Sequence, residues 1–283
     1  MKLIECSRDA MQGIHQFIPT EKKIAYINSL LKVGFDTIDF GSFVSPKTIP
    51  QMRDTAQVLE QLDLSNSTSK LLAIIANVRG AEDAVEFEEI NYLGFPFSIS
   101  ETFQQRNTNA SIAESLLRVE EIQDLCVRNK KELVVYISMA FGNPYADEWN
   151  SNIVLSWTKK LVKMGIKTIS LSDTIGVSTP QNIAYLFSKL VPEFQNVEIG
   201  AHLHTEAFSW EEKVNAAYNN GCNRFDGAIK GFGGCPMAAD ELIGNMPTEN
   251  LVKYFHTKGI YTGVDEIAFG DSMLLSASVF PNE

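Results

Sequence analysis

Helix-to-strand boundaries recur along this chain with one signature, and that repetition constrains the fold more than any other feature. Lys32-Val33-Gly34-Phe35-Asp36-Thr37-Ile38-Asp39, Lys163-Met164-Gly165-Ile166-Lys167-Thr168-Ile169-Ser170 and Asn220-Gly221-Cys222-Asn223-Arg224-Phe225-Asp226 each read as a helix end, a glycine and a strand. Glycine suits that place because a helix C-terminus often needs a left-handed residue, which glycine adopts without a Cβ clash. Before two of these glycines, apolar residues fall at helical spacing: Ile24, Ile27, Leu30 and Leu31, then Val154, Trp157, Leu161 and Met164. Apolar runs of strand length lie near residues 2–7, 37–42, 71–77, 90–99, 133–140, 168–172, 197–203 and 224–229, with helical patterns between most of them. This pattern predicts an α/β fold, the closed (β/α)8 TIM barrel. A doubly wound sheet would show fewer strands and a glycine-rich phosphate loop after the first, and no such loop follows here. No linker or low-complexity tract divides the chain, so residues 1–283 are expected to form one domain. Residues 236–283 exceed a single barrel helix and are expected to supply the last helix plus a C-terminal helical extension or cap.

In such a barrel, catalytic side chains collect at the C-terminal ends of the strands. Arg8 and Asp9 are expected to end strand one, Asp39 to lie within strand two, Ser172 and Asp173 to end strand six, and His202 and His204 to end strand seven. Strand eight runs into Lys230-Gly231-Phe232-Gly233-Gly234-Cys235-Pro236. Closure makes strands one, seven and eight neighbours, so these residues are expected to meet at one mouth. Residues i and i+2 of a strand share a face, which lets His202 and His204 bind one metal ion together. Such a pair needs an anionic partner, and Asp9 is the best candidate; a helix cap or an ion pair with Arg8 is its structural alternative. Two imidazoles and one carboxylate leave coordination positions open for a substrate. Asn245, in Gly244-Asn245-Met246-Pro247, completes the shell or serves as a turn residue. Asp39 sits between Ile38 and Phe40, where an acid is costly unless it is paired or used in chemistry. Cys235, between Gly233-Gly234 and Pro236, is either a thiol presented for proton transfer, with an ordinary pKa near ~8.5, or a small apolar filler.

A net charge of −11, from 24 basic and 35 acidic side chains, argues against nucleic acid and anionic membrane surfaces as partners. No apolar run reaches transmembrane length and the start lacks a signal-peptide stretch, so a cytoplasmic setting is expected. Cys6, Cys126, Cys222 and Cys235 are scattered and are expected to be free thiols. His15 and His256 show no useful spacing and are read as surface residues.

Taken together, several segments resemble the 3-hydroxy-3-methylglutaryl-CoA lyases of the DRE-TIM metallolyase superfamily. They are Arg8-Asp9 with Gln12, Ser42-Phe43-Val44-Ser45-Pro46-Lys47 followed by Pro50-Gln51-Met52, Ser172-Asp173-Thr174-Ile175-Gly176-Val177, His202-Leu203-His204, Gly231-Phe232-Gly233-Gly234-Cys235-Pro236 and Gly244-Asn245. The resemblance implies a carbon–carbon lyase that cleaves 3-hydroxy-3-methylglutaryl-CoA, or a close 3-hydroxyacyl-CoA, to acetyl-CoA and acetoacetate. It further implies that Asp9, His202 and His204 hold Mg2+ or Mn2+, with Asn245 in or beside the shell. Arg8 would stabilise the enolate oxygen, Cys235 would protonate the carbanion, and Asp39, where familiar members carry a glutamate, would join His202 in a proton relay. An acyl-CoA thioester is the implied partner, and a homodimer the implied assembly. Lys47, Arg79 and Arg106 are cations near strand ends that either meet phosphates or are solvated surface charges, so no coenzyme A contact is assigned. The chain departs from the family pattern at Ala10-Met11, at Asp39 and across Thr205–Glu212. Three alternatives stand beside this reading: a condensing acyl-CoA synthase of the same superfamily, an Fe(II) oxygenase built on the same two-histidine, one-carboxylate set, and a non-enzymatic barrel with an idle metal site.

Overall fold

The computed structural model describes residues 1–234 and 243–280. Eight strands, β1 (Lys2–Glu5), β2 (Thr37–Ser42), β3 (Lys70–Ile74), β4 (Ile90–Ser98), β5 (Glu132–Ser138), β6 (Thr168–Ser172), β7 (Glu198–His202) and β8 (Arg224–Gly227), pair in parallel and close in sequence order. Each falls on one of the eight apolar runs. Gly34, Gly165 and Gly221 adopt φ of 85°, 87° and 91°, the left-handed conformation expected of them at the helix ends. The helices are α1 (Ser7–Gln12), α2 (Thr20–Leu30), α3 (Thr55–Leu59), α4 (Val78–Val85), α5 (Glu101–Thr108), α6 (Ile112–Arg128), α7 (Ser151–Lys163), α8 (Pro180–Glu193), α9 (Trp210–Tyr218), α10 (Thr248–Thr257) and α11 (Glu266–Val279).

Strand alternation sorts side chains into two populations. Leu71, Ala73, Leu93, Phe95, Leu133 and Val135 face the helices and join the main core. Their neighbours Leu72, Ile74, Tyr92, Val134 and Tyr136 form a separate apolar group inside the barrel. On the other half of the barrel, the positions alternating with Leu171, Ala201 and Phe225 are polar: Ser170, Ser172, His202, Arg224 and Asp226. Gly200 makes room among them, because a Cβ there would come within 2.9 Å of Arg224 Cδ. One side of the interior is therefore ordinary core, and the other is a polar wall leading to the mouth.

The C-terminal segment takes the form of an extension, with α10 completing the outer layer and α11 lying against α2. Lys22 Nζ donates to Ser278 O at 2.8 Å, Phe269 meets Phe35 edge-on, and Phe280 meets Tyr26 in the same way. Among the described residues, no helix is long and apolar enough to cross a membrane.

One expected placement changes. Strand β1 stops at Glu5, and Arg8 and Asp9 lie in the short helix α1 that follows. A helix of under two turns offers no periodicity from which a sequence could place it.

Candidate metal centre and active site

Barrel register builds the site. His202, the last residue of β7, pairs across the ladder with Asp226 of β8, and Asp226 pairs with Ile4 of β1. His204 lies two residues beyond β7, where an isolated antiparallel bridge joins it to Asn245. That bridge is made by Thr205 N–H donating to Gly244 O and Met246 N–H donating to Leu203 O. Helix α1 brings Asp9 over the same point. As a result, ligand atoms of Asp9, His202 and His204 all lie within 4.8 Å of one another.

The donor set suits a divalent cation. Burial alone would raise the Asp9 carboxyl, but Arg8, then His202, outweigh it and hold Asp9 down at about 2, fully ionised. Burial lowers His204 to about 4 and so keeps its imidazole neutral, the form that ligates metals. Its Nδ1 is buried without a hydrogen-bond partner, an orphan that a bound ion could satisfy. His202 Nδ1 faces Asp226 Oδ2 at 3.2 Å, which leaves Nε2 free and makes Asp226 the carboxylate behind a ligating histidine. Burial lowers His202, but the bond to Asp226 and its charge prevail and raise it. A second cluster, Cys6, His202 and Asp226, shares His202; burial pushes the Cys6 thiol well up, away from the thiolate a metal would need.

Arg8 joins the acids. Its Nε and Nη2 grip both oxygens of Asp39, with the shortest contact 2.6 Å, while Nη1 donates to Asp9 Oδ1 at 2.8 Å and to Gln12 Oε1 at 2.9 Å. Asp9 makes the ion pair with Arg8, and the same carboxylate faces the two histidines. Asp39 is buried, and that burial pushes its carboxyl up to about 6 against the pull of Arg8. The acid among apolar strand residues is paired, as the cost of burying it requires. Asn245 Nδ2 donates to Asp9 Oδ2 at 2.8 Å and to Phe232 O at 2.9 Å, so the amide orients the carboxylate. Gly233, at φ 99°, passes so close that a Cβ there would stand 2.6 Å from Asn245 Nδ2 and 2.8 Å from Asp9 O. Cys235, two residues further on, lies outside the described residues.

A cavity of about 230 Å3 opens on this centre, with Arg8, Asp9, Asp39, His202 and His204 at one end. Val44, Ile49, Pro96 and Phe103 are among its apolar lining residues. Lys47, Arg79 and Arg106 are exposed. Lys47 and Arg79 line a neighbouring groove, and Arg106 stacks on Tyr145. His15 is exposed, and the exposed His256 pairs with Glu266. Cys6, Cys126 and Cys222 are buried free thiols.

Three residues of the site were not singled out from the sequence. Asp226 carries the same signal as Asp39, an acid inside an apolar strand, but its link to His202 depends on register. Arg224 lies on the same strand face two residues earlier, its Nε 3.8 Å from Asp226 Oδ1. Lys213 sits on the buried face of α9, where its ammonium donates to Asp173 Oδ2, Gly176 O and His204 O. Asp173, expected at the end of strand six, directly follows β6 and pairs with Lys213; Thr179 caps α8 in a capping box with Asn182.

Residues 2–272 match the HMGL-like family model. A cytoplasmic 3-hydroxy-3-methylglutaryl-CoA lyase of Danio rerio is 33% identical over 268 residues, covering 94% of this chain and 78% of that protein. A hydroxymethylglutaryl-CoA lyase of Bacillus subtilis is 33% identical over 257 residues, covering 91% and 85%. Among solved structures, an HMG-CoA lyase from Acinetobacter baumannii in complex with coenzyme A and 3-methylmalate superposes with a TM-score of 0.90 at 32% identity, covering 99% of this chain and 90% of that one. A hydroxymethylglutaryl-CoA lyase from Pseudomonas aeruginosa gives 0.91 at 30% identity, covering 100% and 93%.

Proposed function

The chain belongs to the HMGL-like family, and on that premise we propose that it is a divalent-metal-dependent lyase cleaving 3-hydroxy-3-methylglutaryl-CoA to acetyl-CoA and acetoacetate. The observation that carries this reading is the convergence of Asp9, His202 and His204 at the end of a cavity lined by both polar and apolar residues. The metal is assigned as Mg2+ or Mn2+, because hard carboxylate and imidazole donors with open positions suit either. The acyl-CoA thioester is the partner, and the reducing cytoplasm the setting, in keeping with three buried free thiols.

When bound, the cation supplies Lewis acidity to the substrate oxygens and lowers the cost of forming an alkoxide. Asp9 contributes its charge to that ion, and Asn245 fixes the carboxylate's orientation. The proton of the substrate's C3 hydroxyl passes to Asp39, whose carboxyl, pushed up to about 6, can accept it; His202, with Nδ1 on Asp226 and Nε2 reserved for the cation, steadies the site rather than taking the proton. The C2–C3 bond then breaks, its electron pair moves into the thioester as an enolate, and acetoacetate departs. Arg8, fixed by Asp39 and Asp9, presents a permanent cation to the enolate oxygen. Cys235 returns a proton to C2 and completes acetyl-CoA.

The test is to incubate the protein with Mg2+ and a panel of 3-hydroxyacyl-CoA thioesters and to look for acetyl-CoA. Release from 3-hydroxy-3-methylglutaryl-CoA is expected, and silence across the panel would refute the activity. Cys235→Ala is expected to keep metal binding and lose most turnover; normal cleavage by that variant would remove the thiol from its role.

A further inference from the structure

His204 lies beyond the end of β7, so its carbonyl has no strand partner, yet the imidazole it carries is buried at the centre of the site. Lys213 supplies that partner, its Nζ donating to His204 O at 2.8 Å. The same ammonium donates to Asp173 Oδ2 at 2.9 Å and to Gly176 O at 3.1 Å, which uses all three of its N–H bonds. Asp173 in turn donates its backbone N–H to His202 O at 2.9 Å. The His202 carbonyl is thus held by the β6–β7 ladder running on through Asp173, while the His204 carbonyl, past the end of that ladder, is held by the Lys213 side chain. The pair is sealed, with side-chain exposures of 4% and 0%, and Ser178 N–H donates to the remaining oxygen, Asp173 Oδ1. On the other edge, the bridge to Asn245 holds the chain at Leu203 O and Thr205 N–H, on either side of His204.

We propose that Lys213, charge-balanced by Asp173, is a positioning residue for the metal centre, a clamp that sets the place of His204 beside His202 by holding the His204 carbonyl. The inference rests on those histidines being ligands, the reading given above. Lys213 does not touch the imidazoles or the cavity; it acts through the chain. The pair also accounts for how Thr205–Glu212, where the chain departs from the family pattern, is joined to the site. The segment leads into α9, whose first turns carry Lys213 back beneath His204. Being neutral as a pair, the clamp adds a positive charge near the ion without leaving it uncompensated.

Metal binding without turnover tests this. Mn2+ would be titrated calorimetrically into metal-stripped full-length protein for wild type, His204→Ala, Lys213→Met and the double variant Asp173→Asn with Lys213→Met. Lys213→Met strands the Asp173 carboxylate and is expected to lose thermal stability as well as Mn2+ affinity. The double variant removes both charges and is expected to recover much of that stability while its Mn2+ dissociation constant stays at least about ten-fold above wild type, the low end of the loss seen when groups supporting ligands are removed. A smaller change in the double variant, with His204→Ala losing Mn2+, would overturn the clamp and leave the metal site standing. Undiminished Mn2+ binding by His204→Ala would overturn both.

Discussion

Replacing Asp226 by asparagine tests the site at its least replaceable contact. The aspartate is fully buried, with Oδ2 at 3.2 Å from His202 Nδ1 and Oδ1 at 3.8 Å from Arg224 Nε. Asparagine keeps the shape but has one acceptor where the carboxylate has two. The guanidinium draws that oxygen to its own side, which turns the amide N–H2 toward His202, where Ser170 Oγ, 3.4 Å from Oδ2 in the native site, can accept from it as well. His202 Nδ1 must then accept a hydrogen bond, so the ring proton moves to Nε2 and blocks the nitrogen left for a metal. Loss of a carboxylate behind a ligating histidine costs about 10- to 100-fold in metal affinity, or roughly 1.4 to 2.7 kcal/mol. Arg224 also loses a counter-ion and keeps only Glu198, 3.8 Å from Nη1; stranding a buried charge costs roughly 3 to 5 kcal/mol of stability. Calorimetric titration of Mn2+ into the metal-stripped variant, alongside thermal melts, measures both losses. A folded Asp226→Asn protein that binds Mn2+ as wild type does would refute the assignment of Nε2 to the metal and of Asp226 to its support.

Glu5 is buried at the C-terminal end of β1, where Thr248 Oγ1 and Ile229 N–H donate to its two oxygens, and burial pushes its carboxyl up to about 8. The folded state therefore binds a proton that the unfolded chain releases above its ordinary pKa of 4.5, and the stability linked to that proton is full below 4.5 and lost as pH rises to about 8. Between pH 5.5 and 8 the wild type is expected to lose about 3 kcal/mol relative to Glu5→Gln; urea unfolding at the two pH values measures it, and parallel behaviour of the two proteins would contradict it. At Gly233 the left-handed backbone and the 2.6 Å approach to Asn245 leave no room for a methyl group. Gly233→Ala is expected to cost about 1 to 3 kcal/mol locally, displace Asn245 from Asp9, and raise the Mn2+ concentration needed for turnover at least ten-fold without lowering global helix content. Unchanged metal dependence in steady-state assays would count against the amide's role.

The barrel was legible because its signals are local. Eight apolar runs and the left-handed glycines Gly34, Gly165 and Gly221 mark where strands begin, and each mark depends on a few adjacent residues. Asp39 could be read the same way, as an acid whose neighbours Ile38 and Phe40 leave it nowhere to be solvated. Asp226 lies equally deep between Phe225 and Gly227, but its meaning comes from facing His202 on the next strand, and no local pattern carries register between strands. Lys213 was illegible for a related reason. A lysine among Trp210, Val214 and Ala217 on a helix face is a sign of something, but its partners lie at the ends of two different strands. Arg8 and Asp9 were brought to the right mouth and the wrong element, because a six-residue helix following a strand has too few turns to reveal itself.

The charge balance around these residues favours a cation. Around the centre lie the buried cations Arg8, Lys213 and Arg224, the buried carboxylates Asp39, Asp173 and Asp226, and the partly buried Asp9. Asp173 is matched by Lys213 and Asp226 by Arg224, while Arg8 is divided between Asp39 and Asp9. Three cations against four carboxylates leave one negative charge in a region that water reaches poorly, and an unpaired buried anion is costly. The excess falls at Asp9, the carboxylate that faces two imidazoles, and a divalent cation there changes the balance from one negative unit to one positive. That surplus is opposite in sign to the enolate that cleavage of the C2–C3 bond would generate beside it. Protein charges fixed before the reaction begins need no reorganisation as the negative charge appears. Because Arg8 is shared, Asp9 keeps a charge that a metal would neutralise; a second cation opposite Asp9 would balance the acids without one and leave Arg8 alone to face an enolate.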